Sequence, residues 1–170
     1  MVLELLASDH RSLSSVRDPA AGWKAHVADS LTGLSVPELR DAQRIADVGA
    51  GAGFPGLVLA VALPEARVDL IESVTRKAEF IAEAADRAGI VNAHAVAARS
   101  EAHAAFPPPG GGREAYDVVT ARAVGRLSTL AELASPLLRE GGVLVAWKGR
   151  RDAEEEAELE RGARELAMEA

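Results

Sequence analysis

Between Asp47 and Gly56 the chain reads DVGAGAGFPG, four glycines and one proline directly behind the apolar run RIADV. So much bare backbone suits a place where a buried strand turns sharply into a helix and must leave room for something beside it. Arg44 to Gly49 is expected to be that strand. Pro55 sits where a first helical turn tolerates it, and Gly56 to Leu63 is expected to be the first crossover helix.

The pattern then repeats. RVDLIES reads as a second strand and RKAEFIAEAADRAG as a helix, with Ala78, Ile81, Ala85 and Ala88 on one face and Gly89 as its stop. VNAHAV is a weaker third strand, followed by a short helical stretch to Ala105 and the loop FPPPGGG, which holds no regular element. YDVVTARAV is the fourth strand with its exit loop. Leu127 to Leu138 has helical spacing, REGG is a turn, and VLVAWKG is the fifth strand. Strands alternating with helices at this interval mean βαβ units and an α/β, doubly wound, mainly parallel sheet. The expected division is a helical lead-in over 1–43, an α/β core over 44–151, and an acidic helix or tail over 152–170, forming one domain at a length of 170 residues. The lead-in is polar and turn-rich apart from a helix from Pro19 to Leu34, in which Trp23, His26, Val27, Ser30 and Leu31 recur at helical spacing.

Composition narrows the chemistry. There is no cysteine, which excludes disulfides, thiolate metal sites and cysteine nucleophiles and fits a reducing cytoplasm. His94 and His103 lack the neighbours of a metal site, so no metal is expected. The apolar run Leu57 to Leu63 is too short to span a bilayer, and a cytoplasmic protein is expected. Net charge is −7, of which residues 152–170 carry −6, leaving −1 for the rest. The body is nearly neutral, so local basic groups can still meet phosphate.

The glycine loop fits two ligand classes. Gly51, Gly53 and Gly56 form G-x-G-x-x-G, and Glu72 follows Gly51 by 21 residues, where a carboxylate holds ribose hydroxyls; this is the dinucleotide reading. Gly49 extends the pattern to D-x-G-x-G-x-G, the spacing that suits S-adenosylmethionine. That ligand has an ammonium and a sulfonium, which favour a nearby acid such as Asp47. Phe54-Pro55 would crowd a pyrophosphate, whereas the Phe54 ring can pack against a thioether chain.

The segments SVRDP, HVADSL, DVGAGAGFPG, IESVTRKAEFI, ARSE, TARAV and AWKG occur in that order from about Ser14 to Gly149. In this the chain resembles the bacterial 16S ribosomal RNA guanine-N7 methyltransferases, the glucose-inhibited division protein B family. The resemblance implies a Rossmann-like class I S-adenosylmethionine-dependent methyltransferase fold acting on 16S rRNA or the 30S subunit as a monomer. It also implies that Gly49 and Phe54 contact the methionine part of the cofactor and Glu72 the ribose. Ser100 and Glu101 would border the adenine, and Arg122 would stand beside the cofactor at the mouth of the site. His26, Asp29, Arg99, Arg126 and Lys148 would line the same face, with Arg122, His26 and Lys148 as positioning candidates. Against the family pattern the lead-in is short, and the chain ends before the last two strands of a seven-stranded sheet.

The chemistry agrees with the resemblance. Guanine N7 carries an exposed lone pair, so methyl transfer is an in-line displacement needing neither a covalent nucleophile nor prior deprotonation, and no general base is assigned. The guanidinium of Arg122 can bind guanine's acceptor edge or a phosphate, or instead pair with Asp117 or Glu72. Lys148, Arg150 and Arg151 would meet RNA phosphate or form a solvated cluster. The remaining readings are a nicotinamide-dependent oxidoreductase and a non-catalytic nucleotide-binding remnant.

Overall fold

Five apolar runs become five strands, because buried parallel strands are covered on both faces and read as continuous Val/Ile/Leu/Ala stretches. They are β1 (Arg44–Val48), β2 (Arg67–Glu72), β3 (Ala93–Ala97), β4 (Tyr116–Arg122) and β5 (Leu138–Trp147), in the order β3-β2-β1-β4-β5 with every pairing parallel. This computed structural model describes residues 1–9 and 18–169, so Ser15 to Arg17 of the SVRDP segment lie outside the described residues. Among the described residues no helix is long and apolar enough to cross a membrane.

The chain winds outward from β1 through β2 to β3, then returns to place β4 on the other side of β1. The order therefore reverses between β1 and β4, and the crevice beyond their carboxyl ends is where such sheets take ligands. Alternation along the strands fills two layers. Ile45, Val68, Leu70 and Val118 face the helices α5 (Gly56–Ala62) and α6 (Thr75–Ala88), together with the short α1 (Val2–Ser8) and α4 (Pro37–Arg40). Ala46, Val48, Ile71 and Val119 face the opposite layer, with Ala134 of α8 (Leu127–Ala134) and Leu137. Helix α6 ends at Gly89 in a left-handed conformation (φ 67°), as its sequence requires.

Two expectations are corrected. The lead-in helix is composite: α2 (Pro19–Gly22), a π segment (Trp23–Ala28), α3 (Asp29–Leu31) and a 3₁₀ turn (Thr32–Ser35). The wider π turn rotates the face, so Ser30 is buried while Trp23 is 59% and Leu31 38% exposed. REGG is no turn between helix and strand but a bulge inside β5. Leu138 pairs with Tyr116 and Val143 with Val118, so five positions of β5 span two of β4. Gly142 fits this bulge because a Cβ there would lie 3.0 Å from the Tyr116 carbonyl oxygen. Of the helix or tail expected over 152–170, the helix is found: α9 (Ala153–Glu165) packs on α8 and is capped by Asp152, which accepts from the Glu154 (2.9 Å) and Glu155 (3.2 Å) amides.

Below the middle of the sheet a polar chain ties β2 to β4. The Tyr116 hydroxyl donates to Asp69 Oδ2 (2.9 Å), and its oxygen accepts from His103 Nε2 (2.8 Å). Arg67 adds a bond to Asp69 Oδ1 (2.9 Å), so the Asp69 carboxylate is buried but paired. Replacing Tyr116 by Phe removes two bonds while keeping the ring. The expected loss is about 1–2 kcal/mol in urea unfolding; an unchanged midpoint would show that the chain of bonds contributes nothing net.

Candidate functional site

The glycine loop leaves β1 by three left-handed residues, Gly49 (φ 67°), Gly51 (φ 60°) and Gly53 (φ 93°). Each glycine also meets a different constraint. A Cβ at Gly49 would lie 2.6 Å from Val124 Cγ2, and one at Gly53 2.5 Å from Leu57 Cδ1. A Cβ at Gly51 would find only the Gly49 carbonyl oxygen, 3.8 Å away, so this turn faces open space. The loop is anchored to β2. The Gly49 amide donates to the Ile71 carbonyl (2.9 Å) and the Gly51 amide to Glu72 Oε2 (2.9 Å), while Glu72 Oε1 accepts from Val74 (2.8 Å). A carboxylate offers about four lone-pair positions, so Glu72 keeps acceptor capacity beyond these two bonds.

Asp47 lies elsewhere than its expected place against a ligand cation. It points down under the loop, fully buried, where Oδ2 accepts from the Gly56 amide (2.9 Å) and Oδ1 from the Thr120 hydroxyl (3.0 Å). Burial pushes its pKa up to about 7, opposed by those two hydrogen bonds. This arrangement bears on the choice of ligand class. Pro55 has no amide hydrogen, Gly56 donates to Asp47, Leu57 to the Gly53 carbonyl (2.7 Å), and Val58 and Leu59 to the Pro55 carbonyl (3.0 and 3.1 Å). The N-terminal amides of α5 that would seat a pyrophosphate are thus all committed within the protein.

Across the crevice the lead-in closes over Phe54. The His26 ring stacks on Phe54 with centroids 4.8 Å apart and planes 17° apart, leaving Phe54 only 5% exposed. Arg122, from the end of β4, donates to Asp29 Oδ2 (3.1 Å), the Ala25 carbonyl (3.2 Å) and His26 Nδ1 (3.2 Å), and its guanidinium carbon lies 5.8 Å from the Phe54 centroid. Its carboxylate partner is therefore Asp29, where the sequence offered Asp117 or Glu72. His26 is an acceptor at Nδ1, and burial followed by the Arg122 charge holds its pKa below the usual histidine range. Trp147 at the end of β5 fastens the same segment, its Nε1 donating to the Asp29 carbonyl (2.9 Å).

The other candidates divide. Ser100, buried, and Glu101, exposed, open the short helix α7 (Ser100–His103) at the carboxyl end of β3, two strands out from β1, and Arg99 beside them is exposed. Lys148 and Arg126 turn to α9: Lys148 pairs with Glu155 (2.7 Å), and Arg126 Nε donates to Glu158 (2.8 Å). Arg151 likewise pairs with Glu156 (2.7 Å). Three acids of the tail, Glu155, Glu156 and Glu158, are thus partners of Lys148, Arg151 and Arg126. The sequence reading missed Thr120, Val124 and Glu155. Thr120 sits in register with Asp47, a relation visible only once β4 is placed beside β1.

The family model described as GidB, rRNA small subunit methyltransferase G, matches residues 3–169. The chain belongs to this family. Among its relatives, the ribosomal RNA small subunit methyltransferase G of Sorangium cellulosum is 41% identical over 155 residues, covering 91% of this chain and 63% of that protein. The protein of the same name from Rubrobacter xylanophilus is 45% identical over 146 residues, covering 85% of this chain and 55% of the relative. The chain thus spans less than two thirds of either relative. Among solved structures, a SAM-dependent O-methyltransferase from Thermotoga maritima superposes with a TM-score of 0.64 at 16% identity, covering 97% of this chain and 56% of that one. The O-methyltransferase TomG from Streptomyces achromogenes, in complex with SAM, gives 0.60 at 24% identity, covering 98% and 77%. The fold is that of the class I, Rossmann-like methyltransferases.

Proposed function

We propose that this GidB family chain binds S-adenosylmethionine on its glycine loop and transfers a methyl group to N7 of a guanine in the decoding region of 16S rRNA, acting as a cytoplasmic monomer on the RNA or the 30S subunit. The observation that carries the cofactor assignment is the committed N-terminus of α5, with a buried carboxylate already on its first amide. A pyrophosphate would meet Asp47 there. A ligand without phosphates needs only the open face at Gly51 and the remaining acceptor capacity of Glu72 for its ribose. On this reading Gly49, Gly53 and Phe54 border the methionine part, Ser100 and Glu101 the adenine, and Arg122 the mouth, while Asp47 supports the loop from beneath.

The cofactor supplies an electrophilic methyl group on a sulfonium. The protein's part is to hold N7 in line with it, since the guanine lone pair needs no base. Arg122 and His26 form one wall of the crevice and are positioning residues: the guanidinium fixes His26 as a neutral ring over Phe54. The test is to incubate methyl-labelled cofactor with 30S particles lacking the native N7 methylation and to map borohydride/aniline-sensitive cleavage. Label at a single guanine of the decoding region is expected. Label elsewhere, or only on protein, would refute the substrate assignment. Calorimetry with S-adenosylhomocysteine and NADH separates the cofactor classes, and tight NADH binding alone would end the methyltransferase reading.

A further inference from the structure

The loop from Ala123 to Arg126 after β4 is the second wall of the crevice, and it is built awkwardly. Ala123 (φ 58°) and Gly125 (φ 48°) are both left-handed, a conformation that a non-glycine residue adopts only when its surroundings impose it. Between them Val124 presses on the glycine loop, its Cγ2 lying 2.6 Å from where a Cβ on Gly49 would be. Two groups from outside the loop hold it there. Lys148 Nζ donates to the Gly125 carbonyl (3.1 Å) and to Glu155 Oε1 (2.7 Å), and the same Glu155 oxygen accepts from the Leu127 amide (2.7 Å) at the start of α8. Glu155 is the one buried acid of α9, 8% exposed, where it also meets the positive end of α8. Pairing with Lys148 holds its carboxyl below the usual carboxylate range.

We propose that Glu155 and Lys148 form a clamp that sets the loop after β4, and through Val124 the glycine loop, so that ligand affinity at Gly49 to Gly53 depends on a carboxylate in the acidic C-terminal helix. Both are positioning residues. The inference rests on the cofactor reading above only for its ligand; the geometry of the clamp is independent of it. Lys148 accordingly serves the crevice from behind and is not offered to RNA phosphate.

The experiment uses the whole chain with S-adenosylhomocysteine as probe. Glu155→Ala is expected to weaken binding about tenfold, the effect of losing charge-assisted hydrogen bonds at a site that must be ordered. Glu155→Gln keeps an acceptor for Leu127 and Lys148 and is expected to stay within about threefold of the unaltered protein. Glu158→Ala breaks the neighbouring bonds to Arg126, the last residue of that loop, and to Ser128 of α8, while leaving the bonds that join Glu155 and Lys148 to Gly125 and Leu127 in place. It is expected to lower the melting temperature and leave affinity unchanged. Equal weakening by Glu158→Ala and Glu155→Ala would overturn the clamp, as would unaltered affinity in a folded Glu155→Ala protein. Should Glu155→Ala not fold, Lys148→Met removes the bonds to the Gly125 carbonyl and to Glu155 while keeping the Glu155 bond to the Leu127 amide, and full affinity there would overturn it too. Amide exchange in the ligand-free protein gives a second reading: the Gly49 and Gly51 amides should exchange faster in Glu155→Ala and not in Glu158→Ala. If the unaltered chain binds no S-adenosylhomocysteine, the cofactor reading fails, and exchange alone decides the clamp.

Discussion

Replacing Gly51 by Val is expected to abolish S-adenosylhomocysteine binding, with a loss of at least about a hundredfold in affinity, while the protein still folds. The two effects separate because of where Gly51 sits. A Cβ there meets no protein atom closer than 3.8 Å, so the new side chain leaves the backbone without a clash at its first carbon. Its cost to folding is the left-handed backbone, φ 60°, which for a β-branched residue is about 1–3 kcal/mol. The space the new side chain enters is the open side of the loop, next to the Glu72 carboxylate that accepts the Gly51 amide. Loss of that register would also free Glu72 from the position in which the proposed function has it hold a ribose. Gly56 provides the contrast: a Cβ there would lie 2.6 Å from Leu70 Cδ2 and 2.8 Å from Asp47 Oδ2, so Gly56→Val should fail by unfolding. Calorimetry alongside thermal melting distinguishes the two. Unchanged affinity in Gly51→Val would show that the loop is not the ligand site.

How far the sequence led depended on whether a feature is fixed by near neighbours. Strands β1, β2 and β4 were visible because the apolar residues of each cluster in one short segment bounded by turn residues, and α6 because its apolar face and the stop at Gly89 are local. The REGG bulge was not, since Gly142 answers in part to the Tyr116 carbonyl on another strand. The π segment of the lead-in is likewise set from a distance, by Arg122 holding the Ala25 carbonyl and Asp29. In the site, the glycines and Glu72 declared themselves by spacing. The direction of Asp47 did not, although strand alternation puts it on the face of Ile45, towards α5 rather than towards solvent. Glu155 had no local signal at all, because its partners Leu127 and Lys148 belong to other elements.

The buried acid beneath the loop gives the second large effect, a stability that falls as pH rises. Asp47 carries a folded-state pKa of about 7 against an ordinary value of 3.8. Between these values the folded protein retains a proton that the unfolded chain has released. Its unfavourable contribution is therefore absent below about pH 4, grows through that window and is complete above about pH 7. Holding one extra proton across one pH unit changes the folding free energy by about 1.4 kcal/mol, so the change across the window approaches about 4 kcal/mol. Asp47→Asn should remove it. The amide oxygen can still accept from Gly56, and its nitrogen can donate to Thr120, whose hydroxyl hydrogen then turns to the Ala46 carbonyl, 3.4 Å from Oγ1. Both protein partners of residue 47 stay paired, and only the second Nδ2 hydrogen has no assigned acceptor, so this variant should be more stable than the unaltered protein at pH 8 by about 2–3 kcal/mol and show no such slope. Asp47→Ala differs in leaving the Gly56 amide and the Thr120 hydroxyl without their partner, a cost of about 1–3 kcal/mol that offsets the relief of the buried charge. Urea unfolding at pH 5 and pH 8 for the three proteins reads this directly. Parallel slopes for the unaltered and Asn forms would mean that Asp47 ionises as easily in the folded state as in the unfolded chain, and that the loop stands over an ordinary carboxylate.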